Sequence, residues 1–591
     1  MLEENLMIPS MDIKNGDNFL NSQTDSEGQR DHRMGGTSRL TLSEFAKLKE
    51  HPDLSVLIVG GGINGIGLLR ELALQGIDTL LVDKSDFCSE TSAAMTRVIH
   101  GGLRYLENAE LRLVRESLRE RNLLLQNAPH YVKPLATTIP IFSLTSGIIP
   151  TIRNLLGWNA RPGNRGALLI KAGLTLYDLL AGKKSPLPRH RFRFRRTIFA
   201  LRPALNPGVI CTATYYDARI TYPERLCLEL IQDAEASFPE ARALNYVSLQ
   251  SAIGKTVVLR NELSGETTEV RPRIVINATG AWIDFTNHSL GQKSCFIGGT
   301  KGSHIVLNHP GLVEATGDEM IYFVNLDGRI CIFYAVGSKI IAGATDIPTE
   351  DPDAVCDEAE VDYILEALQQ VFPSIQVDRS HVVYRFCGVR PLPQSNTLTP
   401  GQVSRDHSFP VLIPGNGIDF PIYSLVGGKW TTFRALAEQV ADEILRVLGH
   451  PRICDSANIP IGGGKNYPPK MNEREGIPRH RFVELIERYG SRAEKVATYL
   501  QAGPDALLTY HSGYSRREIE FIARYERVAH LDDLILRRTL MGILGEVSLA
   551  LLEELAAIIS PVLEWSPQES KAEVVRTVEL LQRVHGVMLA R

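Results

Sequence analysis

Residues 55–65 read SVLIVGGGING, and this stretch decides the fold. It begins with a short apolar run rich in β-branched side chains, which is typical of a buried parallel strand. A glycine turn at G-x-G-x-x-G spacing follows and opens a predicted helix that ends near Gly76. A second predicted strand, residues 79–82, leads directly into Asp83. This order of strand, glycine turn, helix, strand and acid predicts the first unit of a parallel α/β sheet.

Each part of this unit suits a dinucleotide. The first glycine makes the turn, the second lets the backbone approach a pyrophosphate, and the third lets helix and strand pack closely. The helix N-terminus favours phosphate, and Asp83 would accept hydrogen bonds from the adenosine ribose. A glycine turn alone is a weak signal, so it is the flanking elements that favour a dinucleotide site over an ordinary tight turn. The three glycines are Gly60, Gly62 and Gly65.

Two later glycine clusters favour FAD over NAD. Residues 274–280, IVINATG, form a predicted buried strand whose small-residue turn follows the flavoprotein pattern of closing over the cofactor. Residues 424–429, SLVGGK, lead into a predicted helix whose N-terminus could face the flavin ring. Loops that merely need a positive φ are a poor explanation for three clusters in this order. The absence of a G-x-x-x-x-G-K-[ST] motif disfavours a nucleotide triphosphatase.

The composition disfavours several other classes. Of 591 residues, 64 are basic and 68 acidic, whereas a protein that binds nucleic acid as a whole would normally be basic. The eight cysteines are scattered without a C-x-x-C pair, so we expect no bound metal. The sequence has no uninterrupted run of about 20 apolar residues, so we expect no membrane-spanning helix.

The chain divides into three predicted parts. Residues 1–40 are polar and are expected to be a disordered leader, after which a helix begins near residue 41. The body, residues 41–458, is expected to be α/β: a Rossmann-like FAD-binding domain interleaved with an α+β substrate (cap) domain that carries an antiparallel sheet. Its FAD-binding part comprises about residues 50–130, 205–300 and 385–450, with the substrate part between them. A linker, residues 459–478, leads to an all-α C-terminal domain, residues 479–591, in which residues 531–544 are predicted to form one helix.

Several short motifs run in order along the chain. The most specific are HGGLRYLE at residues 100–107 and GGKWTT at residues 427–432, and ATGAW at residues 278–282 and GVRPL at residues 388–392 accompany them. Together they resemble the FAD-dependent, quinone-linked (aerobic-type) glycerol-3-phosphate dehydrogenases over about residues 54–545. The resemblance implies oxidation of sn-glycerol 3-phosphate to dihydroxyacetone phosphate by hydride transfer to FAD, with electrons passed on to a membrane quinone.

The implied substrate is a phosphate dianion with a secondary alcohol. Guanidinium groups make charge-assisted bidentate bonds to phosphate, so arginines within the matched motifs are the expected clamps, against the alternative of ordinary surface ion pairs. The expected substrate-binding residues are Arg104, Tyr105, Arg390, Arg405 and Thr431, and the expected catalytic residues are His304, Lys429, Arg390 and Arg104. His304 is the first candidate for the base, because histidine titrates near neutral pH. Lys429 is the second, as a base or as a charge that favours the reduced flavin, and His100 is the third.

The resemblance places the cofactor-binding residues around the three glycine clusters and the HGG turn. They are Gly60, Gly62, Asn64, Gly65, Asp83, Thr91, Ser92, His100, Gly101, Gly102, Ala278, Thr279, Gly280, Gly427, Gly428 and Lys429. For His100 the alternative is a residue that orders the backbone beside two glycines.

Other functions stay open at this point. A glycerol-3-phosphate oxidase would carry the same flavin and arginines but reduce oxygen, and a related amine or hydroxy-acid flavoenzyme is also compatible. A flavin-binding regulatory protein without turnover is the alternative from a different class. Stoichiometric hydrogen peroxide under air would indicate the oxidase, whereas a flavin that substrate does not bleach would indicate the regulatory protein.

Residues 189–196, RHRFRFRR, carry the strongest local charge. Alternating Arg and Phe would give a strand one basic and one aromatic face, which suits an anionic lipid surface. The alternative is a solvated strand with two core phenylalanines, and nucleic acid is not expected as a partner. Residues 147–158 are a second candidate for membrane contact or for the core. With the resemblance, this predicts a cytoplasmic protein attached peripherally to the cytoplasmic face of the membrane, and a homodimer is a further option.

Overall fold

Two β-sheets form the body of the protein, and helices cover them. The structure, a computed structural model, describes residues 37–108, 110–146, 165–182, 185–325, 327–394, 405–468 and 476–589. Most of the predicted leader and the second candidate membrane segment, residues 147–158, lie outside these residues. The first helix begins at Thr37, four residues before the predicted start.

The described residues form the following elements in chain order. The strands are β1 (Asp53–Val59), β2 (Thr79–Val82), β3 (Val98–Ile99), β4 (Val132–Ile141), β5 (Arg191–Phe194), β6 (Cys211–Ile220), β7 (Ala241–Leu244), β8 (Val247–Ile253), β9 (Thr256–Asn261), β10 (Thr267–Asn277), β11 (Thr300–Leu307), β12 (Glu319–Val324), β13 (Ile330–Val336), β14 (Lys339–Gly343), β15 (Ile347–Pro348), β16 (Val382–Arg390), β17 (Val411–Leu412) and β18 (Ile422–Ser424). The α-helices are α1 (Thr37–Glu50), α2 (Ile63–Leu74), α3 (Leu111–Asn127), α4 (Ala167–Ala181), α5 (Arg195–Leu201), α6 (Pro223–Ser237), α7 (Ile283–Ser289), α8 (Pro310–Thr316), α9 (Glu358–Val371), α10 (Phe433–Leu448), α11 (Arg479–Tyr489), α12 (Ala493–Gln501), α13 (Arg516–Tyr525), α14 (Leu531–Asp533), α15 (Leu549–Leu563) and α16 (Pro567–His585).

The first sheet contains the parallel core that the glycine-turn segment predicts. Its strand order is β17-β18-β10-β1-β2-β7, in which β18, β10, β1, β2 and β7 run parallel. Strands β8 and β9 extend β10 as an antiparallel meander. The carboxyl ends of β1, β2, β10 and β18 therefore meet at one edge, which is where open parallel sheets bind ligands.

The second sheet is mostly antiparallel and supplies the predicted cap. Its order is β15-β11-β14-β13-β12-β4-β6-β3, with β16 paired to β11 and β5 paired to β6. Its strands come from the chain before β7 and after β10, so the two sheets are interleaved along the sequence, as predicted.

Helices cover both faces of the first sheet. Apolar residues of α2, α6 and α10 pack against β1 and β10 in one buried cluster. On the other face, Phe45 and Leu48 of α1 pack with Leu57 of β1 and with the β8–β9 hairpin. Because both faces are buried, the central strands are apolar along nearly their whole length, as in other parallel sheets.

The C-terminal helices share a hydrophobic core with the second sheet. Val306 and Tyr334 of that sheet belong to the same buried cluster as Ile519 of α13 and Leu552 of α15. In the predicted linker, Gly463 is buried, and its backbone N–H donates to a carboxylate of α6. Among the described helices, none has the length and apolar composition that crossing a membrane requires.

Two predicted elements are wrong in extent. Residues 531–544 are not one helix, because the single turn α14 continues into one turn of π-helix, Leu534–Arg538, and then into non-helical turns. In the basic stretch, only Arg191–Phe194 is strand, and α5 follows at once. The alternative of two core phenylalanines is wrong for one of them, because Phe194 is 69% exposed, whereas Phe192 packs against a buried cluster.

Candidate functional site

The glycine turn between β1 and α2 leaves no room for larger side chains at two positions. Gly60 has a φ of +114°, and a Cβ there would lie 2.5 Å from the carbonyl oxygen of Ala278, just beyond β10. A Cβ at Gly65 would lie 2.0 Å from the carbonyl oxygen of Gly60. At Gly62 a Cβ would lie 3.1 Å from the hydroxyl of Ser92. The absence of side chains therefore lets the ends of β1 and β10 and the first turn of α2 approach closely, as a dinucleotide fingerprint requires.

Asp83 lies directly after β2, beside this turn. Its carboxylate accepts hydrogen bonds from the backbone N–H groups of Gly61, at 2.6 Å, and Ser85, at 2.8 Å. Burial raises the pKa of Asp83 to about 6, against the opposing effect of these two donors. The acid therefore sits at the position where the sequence predicts the adenosine ribose.

The later glycine cluster meets the turn from the carboxyl end of β18. The side-chain amide of Asn64 donates to the carbonyl oxygen of Gly427 at 3.4 Å. Asn64 Oδ1 is buried and has no hydrogen-bond partner among the residues that the structure describes. The indole of Trp430 donates to the carbonyl oxygen of Ser92 at 2.9 Å. An acceptor left open at the junction of these segments fits a polar group of FAD.

The two threonines expected to bind the cofactor are positioned by hydrogen bonds to their surroundings. The hydroxyl of Thr91 donates to the carbonyl oxygen of Val389 at 2.8 Å. The hydroxyl of Thr279 donates to Asn277 Oδ1 at 2.6 Å. Gly280, which follows, has a φ of +61° and open space where a side chain would begin. This turn thus leaves room at the strand ends for a cofactor.

The HGG turn is held by a buried ion pair. The N–H of Gly101 donates to Asp217 Oδ1 at 3.0 Å, and the same oxygen accepts from Arg121 at 2.8 Å. The hydroxyl of Tyr177 also donates to it, at 2.7 Å. Burial, reinforced by nearby cations, lowers the pKa of His100 to about 3. Its imidazole is therefore neutral at physiological pH.

Arg390 and Arg405 meet at one carboxylate. Arg390 donates to Asp346 Oδ1 at 2.9 Å and to the carbonyl oxygen of Thr345 at 3.2 Å, and Arg405 donates to Asp346 Oδ2 at 3.4 Å. Burial lowers the pKa of Arg390, and it lowers that of Arg405 to about 10. The charge of Arg104 acts in the same direction on both. Two guanidinium groups share this one carboxylate, and the charge of Arg104 acts on both of them, so the site favours the binding of a further anion.

Lys429 lies beside these arginines. Its ammonium donates to the Ser117 hydroxyl at 2.9 Å and lies 4.0 Å from the ring centroid of Tyr105. Burial lowers the pKa of Lys429. Burial acts to raise the pKa of Tyr105, but the surrounding cations outweigh it and the net change is downward. The hydroxyl of Thr431 donates to the carbonyl oxygen of His100 at 3.3 Å, which ties the GGKWTT segment to the HGG turn.

His304 lies on β11 with its ring stacked on Phe386, centroid to centroid at 4.9 Å. Both ring nitrogens are buried without a hydrogen-bond partner among the described residues. Burial and, secondarily, the charge of Arg390 lower the pKa of His304 to about 3. The side chain is thus a neutral imidazole with a free lone pair, which can accept a proton.

The structure brings the predicted residues into two adjoining groups. Those at the strand ends of the first sheet are Gly60, Gly62, Asn64, Gly65, Asp83, Thr91, Ser92, Ala278, Thr279, Gly280, Gly427 and Gly428. Those toward the second sheet are His100, Gly101, Gly102, Arg104, Tyr105, His304, Arg390, Arg405, Lys429 and Thr431. Lys429 directly follows Gly428 and so joins the groups. Among the described residues, no set of three or more His, Cys, Asp or Glu is arranged to hold a metal ion.

Two residues of this site, Asp346 and Ser117, have no role predicted from the sequence. Asp346 is 44 residues from Arg390 and 59 from Arg405, and Ser117 is 312 residues from Lys429. Such contacts are set by sheet topology, and a serine inside an amphipathic helix carries no signal of its own. An acid beside matched arginines is a weak signal that could have drawn attention to Asp346.

Two known protein families match successive parts of the chain. Residues 55–417 match the family described as FAD dependent oxidoreductase, and residues 454–570 match the C-terminal domain of alpha-glycerophosphate oxidase. The chain is 32% identical to a glycerol-3-phosphate dehydrogenase of Synechocystis sp., over 89% of this chain and 96% of that protein. The chain belongs to the FAD-dependent oxidoreductases, in their glycerol-3-phosphate dehydrogenase branch.

Other members of this family are similar over most of the chain. A glycerol-3-phosphate dehydrogenase of Pseudomonas aeruginosa is 30% identical, over 83% of this chain and 92% of that protein. The X-ray structure of the glycerol-3-phosphate dehydrogenase from Bacillus halodurans complexed with FAD has a TM-score of 0.70 at 21% identity, covering 94% of this chain and all of that one. The predicted fold class, the family and FAD as the cofactor are therefore confirmed.

Proposed function

We propose that the protein oxidises sn-glycerol 3-phosphate to dihydroxyacetone phosphate. The observation that carries this proposal is a group of half-buried cations next to a neutral histidine, and these cations are Arg104, Arg390, Arg405 and Lys429. Bound FAD supplies the hydride acceptor. A dianionic phosphate matches the surplus of positive charge, and a secondary alcohol matches a nearby proton acceptor.

The arginines hold the phosphate in this proposal. Arg390 already lies with its guanidinium fixed by Asp346 and by a backbone carbonyl, so little side-chain freedom is lost when an anion binds. Arg405 Nε is buried without a partner among the described residues, and it offers one more donor. Arg104, whose guanidinium lies over the ring of Tyr105, completes the anion-binding wall, and Thr431 bonds the backbone of His100 in the same turn.

His304 accepts the hydroxyl proton in this proposal. Its low pKa keeps the imidazole neutral before substrate binds but also makes it a weak base. The dianionic phosphate of bound substrate would offset the charge of Arg390 and so raise this pKa, and the ring nitrogens have no partner among the described residues. Lys429 is the second candidate and holds positive charge near the reacting centre. His100 is the third, and its neighbours Gly101 and Thr431 favour an ordering role for its backbone.

Anaerobic addition of sn-glycerol 3-phosphate tests the reaction directly. We expect the flavin absorbance to bleach within the time of mixing and to recover when an electron acceptor is added. An unbleached flavin would contradict the proposed activity and favour the flavin-binding regulatory protein.

Arg390→Ala tests the clamp. Because charge-assisted hydrogen bonds contribute about 1.5–3 kcal/mol, we expect KM for sn-glycerol 3-phosphate to rise roughly 10- to 100-fold while FAD stays bound. Arg385→Ala is the matched control, since Arg385 lies on the same strand and pairs with Glu358. An equal effect of both variants, or equal oxidation of glycerol and its phosphate by the wild type, would refute the clamp.

A membrane quinone is the proposed electron acceptor. A cavity of about 250 Å³ lies between α4, β4 and β12, and Arg104 lines it together with mostly apolar side chains. An apolar ring with carbonyl groups suits such a cavity. Oxygen is the second candidate, favoured by the match of residues 454–570 to an oxidase domain. Stoichiometric hydrogen peroxide in air would support the oxidase.

We further propose peripheral attachment to anionic lipid on the cytoplasmic face. Leu168 and Leu179 of α4 are 59% and 72% exposed, and Phe194 is 69% exposed. Arg195 and Arg196 at the start of α5 are exposed beside Phe194. Because α4 also lines the cavity, attachment through this surface would bring the cavity close to the lipid. A homodimer stays a prediction.

A further inference from the structure

The loop after β2 carries a second buried acid. We call residues 83–88 the ribose loop, because they begin with Asp83. Asp86 in this loop is 1% exposed. The N–H of Cys88 at the loop's end donates to the carbonyl oxygen of Gly61 at 2.9 Å. The position of Asp83 against the glycine turn therefore depends on how this loop is held.

The C-terminal domain supplies the partners of Asp86. Arg538 donates to both carboxylate oxygens, at 2.7 and 2.8 Å. Arg537 donates to the same carboxylate at 2.5 Å. Within the body, the amide of Asn245 donates to it at 3.2 Å. Since Arg538 and Asp86 are both buried, removing one would leave an unpaired buried charge, which is far costlier than losing a surface pair.

The π-helical turn Leu534–Arg538 presents both arginines to this acid. The N–H of Thr539 donates to the carbonyl oxygen five residues earlier, at 3.0 Å, which is the π-helical pattern. Such turns are frequent at functional sites. Arg537 also bonds Asp533, which accepts the hydroxyl of Tyr246 at 2.6 Å. The body thus meets this turn through Asp86 and through Arg225, which donates to the carbonyl oxygen of Arg538 at 3.1 Å, and Tyr246 bonds the residue just before the turn.

We propose that the C-terminal domain is part of the FAD site. Arg537 and Arg538 are positioning residues that hold the ribose loop through Asp86, and the loop in turn places Asp83 for the adenosine ribose. This inference rests on the proposed contact between Asp83 and FAD, and it is independent of which alcohol the enzyme oxidises. It gives the helical domain a direct role in retaining the cofactor.

The coupling between FAD binding and docking of the π-helical turn can be measured from either event, because such coupling is reciprocal. If docking of the π-helical turn favours FAD binding, bound FAD must favour docking of the turn by the same factor. Loss of FAD should therefore loosen the C-terminal domain where it meets the ribose loop and leave its more distant helices unchanged.

The first experiment measures FAD release from the holoenzyme by the rise in flavin fluorescence after dilution. We expect Arg538→Lys and Asp86→Asn to release FAD about tenfold faster or more, as loss of a supporting shell typically does. Lysine keeps the charge but loses the bidentate geometry. Arg481→Lys is the control, because Arg481 makes a comparably buried pair with Glu518 inside the same domain.

Outcomes separate positioning from general destabilisation. Faster release in the Asp86 and Arg538 variants, with the control near wild type, supports the proposal. Release that is unchanged, or that rises equally in the control, overturns it. Asp83→Asn serves as a reference, since unchanged release in that variant would refute the ribose contact itself. Because the measurement of FAD release uses no substrate, its interpretation holds even if the protein does not oxidise glycerol 3-phosphate.

A second measurement needs only the wild type and so does not depend on a variant folding. Hydrogen exchange is compared between holoenzyme and FAD-stripped protein. We expect faster exchange without FAD in peptides covering the ribose loop and residues 531–539, and no change in α12. Equal exchange in residues 531–539 with and without FAD would overturn the proposal.

Discussion

Burial lowers the pKa of both the histidines and the arginines of the site, but the charge that results differs. A buried imidazole loses its proton, so burial lowers the pKa of His304 to about 3 and leaves a neutral base. A guanidinium is too basic to be neutralised at physiological pH, so Arg390 and Arg405 stay charged even though burial lowers their pKa. The same apolar surroundings therefore produce a proton acceptor and a standing positive potential side by side.

The variant His304→Asn tests whether burial lowers the pKa of His304. In the unfolded chain the imidazole protonates below about pH 6.5, whereas the folded protein keeps it neutral down to a pKa of about 3. The unfolded state therefore binds more protons in this window, and the histidine destabilises the wild type progressively as pH falls. Relative to the variant, the wild type should lose about 2 kcal/mol of unfolding free energy between about pH 7.5 and 5.

Urea unfolding of wild type and variant across this pH range gives the measurement. Taking the difference cancels the other titrating groups that both proteins share. A difference that does not change with pH would mean that His304 titrates normally in the folded protein and is exposed to solvent.

At the scale of elements, the pairing of β11 with β16 builds the reactive face. Gly302 lies opposite Gly388, and His304 lies opposite Phe386. Side chains alternate along a strand, so Gly302 and His304 share one face. The glycine leaves the space that the Arg390 guanidinium occupies, because a Cβ at Gly302 would lie 2.0 Å from Arg390 Nη2.

Gly302→Ala should therefore behave like a mild clamp variant. The obstructing atoms belong to the end of a flexible side chain, so the backbone can stay in place while the guanidinium moves away from Asp346. We expect KM for sn-glycerol 3-phosphate to rise roughly 10-fold or more, with FAD content and Tm near wild type. Gly415→Ala is the control, because a Cβ there would meet only the carbonyl oxygen of Ile413, at 3.9 Å. An unchanged KM would show that the guanidinium position does not limit binding.

Local elements are predictable from the sequence, whereas contacts between distant segments are not. The glycine fingerprint and Asp83 are local, so spacing alone predicts the strand, turn and helix around them. The π-helical turn is not predictable in this way, because its residues look like ordinary helix and its arginines pair with Asp86, more than 400 residues earlier. The pairing of Asp346 with Arg390 and Arg405 is not predictable for the same reason, since only the folded sheet brings these residues together.

At the scale of the whole molecule, charged and apolar groups share one exposed surface on the cap. Part of the predicted basic face is not available for lipid, because Arg193 pairs with Glu319 at 3.3 Å. The exposed side chains there are Leu168, Leu179, Phe194, Arg195 and Arg196. Protruding apolar groups beside exposed basic ones suit insertion at an anionic interface.

Co-sedimentation with vesicles tests this attachment. Each basic residue near an anionic surface contributes about 1 kcal/mol, so Arg195→Gln with Arg196→Gln should weaken binding about tenfold or more. Leu179→Glu should weaken it further, because it removes inserted apolar area and adds repulsion. Ile413→Glu is the matched control, since Ile413 is 78% exposed but lies beside the edge strand of the first sheet.

If the cap surface is the docking site, high salt should weaken wild-type binding much more than binding of the double arginine variant. Equal losses for Leu179→Glu and Ile413→Glu would instead indicate attachment through nonspecific contacts, and the quinone would then have to reach the α4 cavity by another route.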